Sequence, residues 1–277
     1  MALDVRPIIP SRFFGHKTRG AAPSSRIGAY IALMKLRVVE LLLVTTVPTM
    51  VLAEGGWPSI QLMAITLIGG TLAAGGANAI NMYIDRDIDK LMVRTQNRPL
   101  VTGALTPRAA MIFAIALEIV AFLVLWAGAN LLAAVLAVSA TLFYVFVYSL
   151  WLKRTSKQNI VIGGAAGAMP VLVGWAAVTN SLGWAPVVLF VVIFLWTPPH
   201  FWALAIRHAD DYKAAGVPMM PVVVSLERTV RSMTTYAVLL TLSTLVLVPV
   251  AELGWIYGIT ALVFGVAFVI GSVRLGS

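Results

Sequence analysis

The sequence predicts an all-α membrane protein, a polytopic transmembrane helical bundle of about eight spans, and three observations predict it. Of its 277 residues 60% are hydrophobic and only 11% charged, with a mean hydropathy of +0.93, a balance foreign to soluble domains. Apolar runs long enough to cross a hydrocarbon core recur at 28–53, 57–82, 107–127, 130–151, 159–179, 184–207, 230–250 and 254–274. They are too long and too continuous for barrel strands. The basic residues, finally, fall in alternate connections. Arg6 to Arg26 precede the first span, Arg86 to Arg108 lie between the second and third, Lys153, Arg154 and Lys157 follow the fourth, and Arg207 to Arg231 surround the connection after the sixth. The formal charge of +9 therefore sets orientation and does not indicate a nucleic-acid partner. By the positive-inside rule both ends and every even-to-odd connection are cytoplasmic, in a multi-pass protein of the cell membrane. The chain has no cysteine, which excludes disulfides, thiol nucleophiles and thiolate metal sites.

In chain order, residues 1–27 read as a cytoplasmic N-terminal tail and 28–277 as the membrane domain. Lys35 and Arg37 sit at interfacial depth at the start of the first span; they either snorkel to headgroups or face inward. Gly69, Gly70, Gly75 and Gly76 allow close helix approach in the second span. Next comes the stretch that organises the chain. If the second helix continues, Asn81, Asp85 and Asp89, four residues apart, share one face while Asp87 points elsewhere. Aligned carboxylates repel unless neutralised, and a hard divalent cation that also holds a phosphate suits them. Arg94 and Arg98 repeat the spacing with the opposite sign and can grip phosphate oxygens in pairs. A diphosphate bound through Mg2+ satisfies both sets; the competing reading is a solvated loop of loosely paired charges.

Glu118 falls near the middle of the third span, where an acid must be paired, protonated or turned to a polar cavity; a hydrogen-bonded structural acid is the leading reading. Phe143, Tyr144, Phe146, Tyr148 and Trp151 crowd the end of the fourth span, as interfacial anchors or as aromatic faces for an allylic cation or isoprenoid chain. In the sixth, Pro198 and Pro199 interrupt the backbone ladder beside a lone His200, which suggests a helix break and a lined cavity. Asp210 and Asp211 then form a second acidic patch, with Tyr212 and Lys213 beside it, on the same side as the first. This second pair of carboxylates is placed to complete an oxygen shell or hold a second ion.

These residues resemble a family. Asn81-x3-Asp85-x3-Asp89 followed by Arg94-Thr95 and Arg98-Pro99-Leu100 is similar to the first signature of the membrane prenyltransferases that include the 4-hydroxybenzoate polyprenyltransferases. The full wording of residues 81–89, with Pro198 to Leu204 and Asp211 to Met219, resembles the protoheme IX farnesyltransferase (haem O synthase) branch. Lys35-Leu36-Arg37-Val38 matches that branch's Lys-Pro-Arg-Val, with Leu36 replacing the proline. Ser225 stands where glycine is frequent, and the family usually has nine spans.

The resemblance implies a central cavity open to the cytoplasm and Mg2+-dependent transfer of a farnesyl group from farnesyl diphosphate to the 2-vinyl group of haem B, giving haem O. It implies Mg2+ on Asp85, Asp89, Asp210 and Asp211, and diphosphate held by Asn81, Lys35, Arg37, Arg94, Arg98, Tyr212 and Lys213. His200 would contact haem as iron ligand, base or hydrogen-bond donor. Haem A synthase is an expected neighbour. A quinone- or chlorophyll-type prenyltransferase would share the diphosphate apparatus. A secondary transporter would place its charges near the midplane, unlike these.

Overall fold

A computed structural model describes residues 25–275, so the expected N-terminal tail lies almost wholly outside the described residues. Among these, eight helices are long and apolar enough to cross a membrane, as expected: α1 (Leu36–Glu54), α2 (Ile60–Ile84), α3 (Pro107–Gly128), α4 (Leu131–Thr155), α5 (Asn159–Thr179), α6 (Trp184–Arg207), α7 (Leu226–Val250) and α8 (Trp255–Arg274). No strand occurs among the described residues.

Local chemistry sets the ends of the spans. The hydroxyls of Ser59 and Thr106 and the amide oxygen of Asn130 accept from the backbone N–H groups of Leu62, Ala109 and Ala133 at 3.1, 3.2 and 2.9 Å, capping α2, α3 and α4. Ser225 does the same for α7, accepting from Arg228 N at 3.4 Å. Its backbone there is extended, at φ −61°, so the position asks for a cap and not for glycine. That cap also starts α7 four residues before the apolar run at 230.

Three expectations are corrected. The first apolar run is not one helix: Arg26–Met34 ends at Lys35, which adopts left-handed backbone (φ 53°, ψ 55°) before α1 begins. The backbone therefore bends at Lys35 with Leu36, and not the proline of the resembled motif, at the next position. The second span does not carry Asp85 and Asp89 on a continuous helix, because α2 stops at Ile84 and residues Ile88–Lys90 form a 3-10 turn. Pro198 and Pro199 do not break α6, which runs unbroken through both, with the Thr197 hydroxyl donating to the Ile193 carbonyl at 2.9 Å.

The bundle packs chiefly through α2 on α3, α6 on α5 and α7, and α1 on α5, with α8 resting on α7. Small residues bring the axes together: a Cβ at Gly69 would stand 2.6 Å from Cγ of the fully buried Leu125. Within α4, residues Phe143–Leu152 wind as a π-helix, a form concentrated at functional sites because it re-aims side chains without ending the helix. At the same end of the bundle Ile88, Met92, Trp202, Val217, Met219 and Met233 pack into one apolar cluster, which ties the connection after α2 to the one after α6.

Candidate active site

Two polar connections thus meet over one opening. Backbone N–H of Val93 donates to Asp211 Oδ1 at 3.2 Å, and Arg94 reaches the Tyr212 hydroxyl at 3.5 Å with its guanidinium 5.6 Å from the ring centre. Beneath lies a cavity of about 500 Å3, within the ordinary size range of small-molecule sites. Its floor and sides are apolar, from residues such as Leu42, Ala73, Ala137 and Val173. Its charged lining is Lys35, Arg94, Arg98 and Lys153 against Asp89 alone.

Asp85 and Asp89 are both 0% exposed. Helix α2 delivers Asn81 and Asp85 one turn apart, and Asn81 Nδ2 donates to Asp85 Oδ2 at 2.9 Å. The 3-10 turn then swings Asp89 inward, where Arg98 pairs with its Oδ2 at 2.6 Å. Lys153 makes a close ion pair with Asp85 Oδ2. The π-helix supplies these partners: the Ser149 hydroxyl donates to the Tyr144 carbonyl five residues back at 2.9 Å, accepts from Asn81 Nδ2 at 3.0 Å, and lies one turn before Lys153. Tyr144 and Tyr148, their rings 5.3 Å apart and stacked, line the cavity immediately below. Helix α5 can approach Tyr148 because residue 163 is glycine; a Cβ there would lie 2.3 Å from the ring.

One oxygen of each carboxylate, Asp85 Oδ1 and Asp89 Oδ1, is buried without a hydrogen bond. Such an atom costs about 1–3 kcal/mol unless a ligand satisfies it. Hard anionic oxygens beside a cation-rich pocket suit a divalent ion that arrives with a phosphate. The four-carboxylate cage, however, is not formed. Asp210 is exposed, and among the described residues no three acidic or imidazole groups come together around one point. The two rims can share an ion only through oxygens that the ligand itself brings.

Lys35 is placed by its left-handed backbone so that Nζ donates to Asn81 Oδ1 at 2.8 Å. Burial first, and then the nearby charges of Arg98 and Lys153, push its pKa well below the usual lysine value. Left-handed backbone costs a non-glycine residue about 1–2 kcal/mol. Lys35→Gly is therefore expected to melt at a higher temperature than Lys35→Ala, while both lose affinity for pyrophosphate. Thermal unfolding and calorimetry in detergent separate backbone strain from charge.

Other expected residues lie elsewhere. Arg37 is exposed and does not line the cavity; Lys213 is exposed as well. Asp87 points outward as expected, 61% exposed, where two hydrogen bonds from Arg154 at 2.7 Å hold its pKa down to about 2. His200 is half-buried with its ring stacked on Trp196 at 4.2 Å; Trp196, Thr197 and Phe201 line the cavity, and His200 does not.

Lys153 and Ser149 escaped notice in the sequence, Lys153 because its charge served only to orient the chain. Asn159 is another: it is fully buried, with neither its Oδ1 nor its Nδ2 hydrogen-bonded. An amide beside a run of apolar residues gives no signal of that kind.

Charged side chains gathered at one end of a mostly apolar shaft are the plan of an enzyme that grips a charged head while enclosing a hydrocarbon tail. Residues 42–276 match the UbiA prenyltransferase family, and the chain belongs to that family. Among curated relatives, a protoheme IX farnesyltransferase of Parafrankia sp. strain EAN1pec is 56% identical over 259 residues, 94% of this chain and 83% of the relative. One from Streptomyces avermitilis is 51% identical over 249 residues, 90% of this chain and 82% of the relative. Solved structures share the fold at lower identity. Digeranylgeranylglyceryl phosphate synthase superposes with a TM-score of 0.74 at 18% identity, covering 90% of this chain and 87% of that one. A UbiA homologue from Archaeoglobus fulgidus bound to DMAPP and Mg2+ gives 0.69 at 19% identity, covering 87% and 86%.

Proposed function

We propose that the chain transfers the farnesyl group of farnesyl diphosphate to the 2-vinyl group of protohaem IX, with addition of water, giving haem O and diphosphate. The observation that carries the diphosphate half is the cavity mouth, where four cations and one carboxylate form the charged lining. Identity above 50% to enzymes named protoheme IX farnesyltransferase supports the acceptor.

The diphosphate head lies among Lys35, Arg94, Arg98 and Lys153, with Asn81 orienting it and Tyr212 closing over Arg94. Negative charge accumulates on the leaving oxygens as the carbon–oxygen bond breaks, so fixed cations there favour the transition state over the ground state. Asp85 and Asp89 would hold Mg2+ through the oxygens that accept no hydrogen bond, as the Mg2+ in the Archaeoglobus relative suggests, and Asp211 on the second rim would reach it only through oxygens that the ligand brings, with Asp210 outside the shell. When bound, Mg2+ neutralises the diphosphate and stabilises it as it leaves. Tyr144 and Tyr148 turn aromatic surface toward the allylic carbon. The apolar shaft keeps bulk water from hydrolysing the farnesyl group to farnesol. Positive charge clustered at the rim supports an opening toward the cytoplasmic side of the plasma membrane. The product then passes to a haem-modifying enzyme in the same membrane, for which haem A synthase is the candidate.

Incubation of purified protein with haem B and farnesyl diphosphate, followed by mass analysis, is expected to give the hydroxyethylfarnesyl adduct with Mg2+ and none after chelation. Farnesylation of an added quinol precursor in place of haem would move the reading to a quinone-type enzyme. His200, stacked on the cavity-lining Trp196, is our candidate contact with haem. Substituting it should weaken haem acceptance more than farnesyl diphosphate binding, and normal haem affinity with normal turnover would dismiss that role.

A further inference from the structure

The cradle accounts for the departure of diphosphate, but the proposed reaction also consumes one water and releases one proton, and a cluster of cations is a poor proton acceptor. Glu118 lies midway along α3, deep in the membrane domain. Gly76 of α2 makes room for it: a Cβ there would stand 2.6 Å from Glu118 Oε1. From α4 the Thr141 hydroxyl donates to the carboxylate, 3.2 Å from each oxygen. Among the described residues no cation pairs with Glu118.

This acid is not remote from the chemistry. Gly76 precedes Asn81 on α2 by five residues, about 7 Å along a helix. Thr141 precedes the cavity-lining Tyr144 by less than one turn of α4. Thr141 itself lines the main cavity, and Glu118 stands behind it. Asn78 also lines the cavity, donating through Nδ2 to the Met34 carbonyl at 3.0 Å, and its Oδ1 accepts from no described residue. A cavity-facing hydroxyl backed by a carboxylate, three residues before Tyr144 on α4, offers a water a polar partner below the diphosphate cradle, and the free amide oxygen of Asn78 is a second polar group in the same cavity.

We infer that Thr141, backed by Glu118, holds the water that adds to the acceptor and takes up its proton; this rests on the farnesyl-to-haem reading above. The vinyl group bonds to the farnesyl carbon as the carbon–oxygen bond to diphosphate breaks and its electron pair leaves with the diphosphate. Water bonds to the resulting cation on the former vinyl group. The proton it loses passes to Thr141 Oγ1 as the hydroxyl proton moves to the Glu118 carboxylate. Thr141 touches the water; Glu118 acts through it as a positioning residue and proton store.

A purely structural clamp between α2, α3 and α4 would look similar, so the test reads the product and not the rate alone. Without a placed water the cation loses a proton and gives an alkene adduct lighter by one water. Glu118→Gln and Thr141→Val are expected to raise the ratio of alkene to hydroxylated adduct at least about tenfold. Thr141→Ser should keep the original ratio, and the dissociation constant for farnesyl diphosphate should stay unchanged in all three. If Glu118→Gln fails to fold, the Thr141 pair carries the test. The original ratio in both Thr141→Val and Glu118→Gln overturns the inference at whatever rate, and so does equal loss of product in Thr141→Val and Thr141→Ser. Complete loss in folded Thr141→Val with an active Thr141→Ser supports it. No farnesylated haem from the unsubstituted protein would instead sink the parent reading.

Discussion

Asp89→Asn and Asp85→Asn are each expected to lower turnover with farnesyl diphosphate by about 10³-fold or more, while the protein still inserts and binds detergent as a folded chain. Each carboxylate is fully buried and keeps one oxygen without a hydrogen bond. An amide replaces the anionic oxygen with a weaker neutral acceptor or an N–H donor, neither of which competes with water for a hard cation. Single groups that stabilise a developing oxyanion are worth about 10²–10³ in rate, and here the same residue also aims a cation through its ion pair. The control is Asp87→Asn. Asp87 is 61% exposed and pairs with Arg154, so its loss should change turnover less than about threefold. Its pKa of about 2 lies below the ordinary carboxylate value, so whatever it adds to stability is present above about pH 4 and fades as pH falls toward 2. The neutral-pH rate is therefore insensitive to its titration. Ordinary turnover in Asp85→Asn or Asp89→Asn, measured as diphosphate release, would remove both from the metal site.

That prediction was open to the sequence, and much else about the site was not. Spacing placed Asn81, Asp85 and Asp89 together, although the face they share comes from a helix end followed by a tight turn. Asp89 reaches the cavity by the turn, while Asp85 at the helix end is buried beside it without lining the cavity. Lys35 and Arg37 carried equal weight as residue types. What separates them is one left-handed residue, which sends Lys35 to Asn81 and leaves Arg37 outside. Local backbone strain of that sort has no compositional trace. Pro198 and Pro199 argued for a break because proline removes two backbone donors, yet packing against α5 and α7 and the Thr197 side chain keep α6 whole. The π-helix is the deepest omission. Its hydrophobic pattern resembles that of an α-helix, and the re-phasing that carries Ser149 and Lys153 to α2 is visible only in three dimensions.

Lys153→Met should produce the largest loss of stability among the site variants, and should lose activity by a separate cause. Lys153 is 13% exposed and Asp85 0%, so removing the ammonium leaves a buried carboxylate with only the Asn81 amide and the Arg154 guanidinium, 4.0 Å from Oδ1, to offset its charge. Breaking one side of such a pair costs about 3–5 kcal/mol. Asp85→Asn alone strands the lysine in turn, whereas the double variant Asp85→Asn with Lys153→Met removes both charges. Most of the lost stability should return in the double variant, because a buried ion pair replaced by neutral groups is often close to neutral. Activity should not return. Lys153 pairs with Asp85 in the structure, and on the proposed reading the ammonium would turn to the phosphate oxygens of an entering diphosphate and free the carboxylate for the accompanying cation. Thermal unfolding of the four proteins with and without pyrophosphate and Mg2+ measures both halves. Pyrophosphate with Mg2+ should raise the melting temperature of the unsubstituted protein and leave the double variant unmoved. A double variant that regained turnover along with stability would show that Lys153 only supports Asp85 and never meets the leaving group.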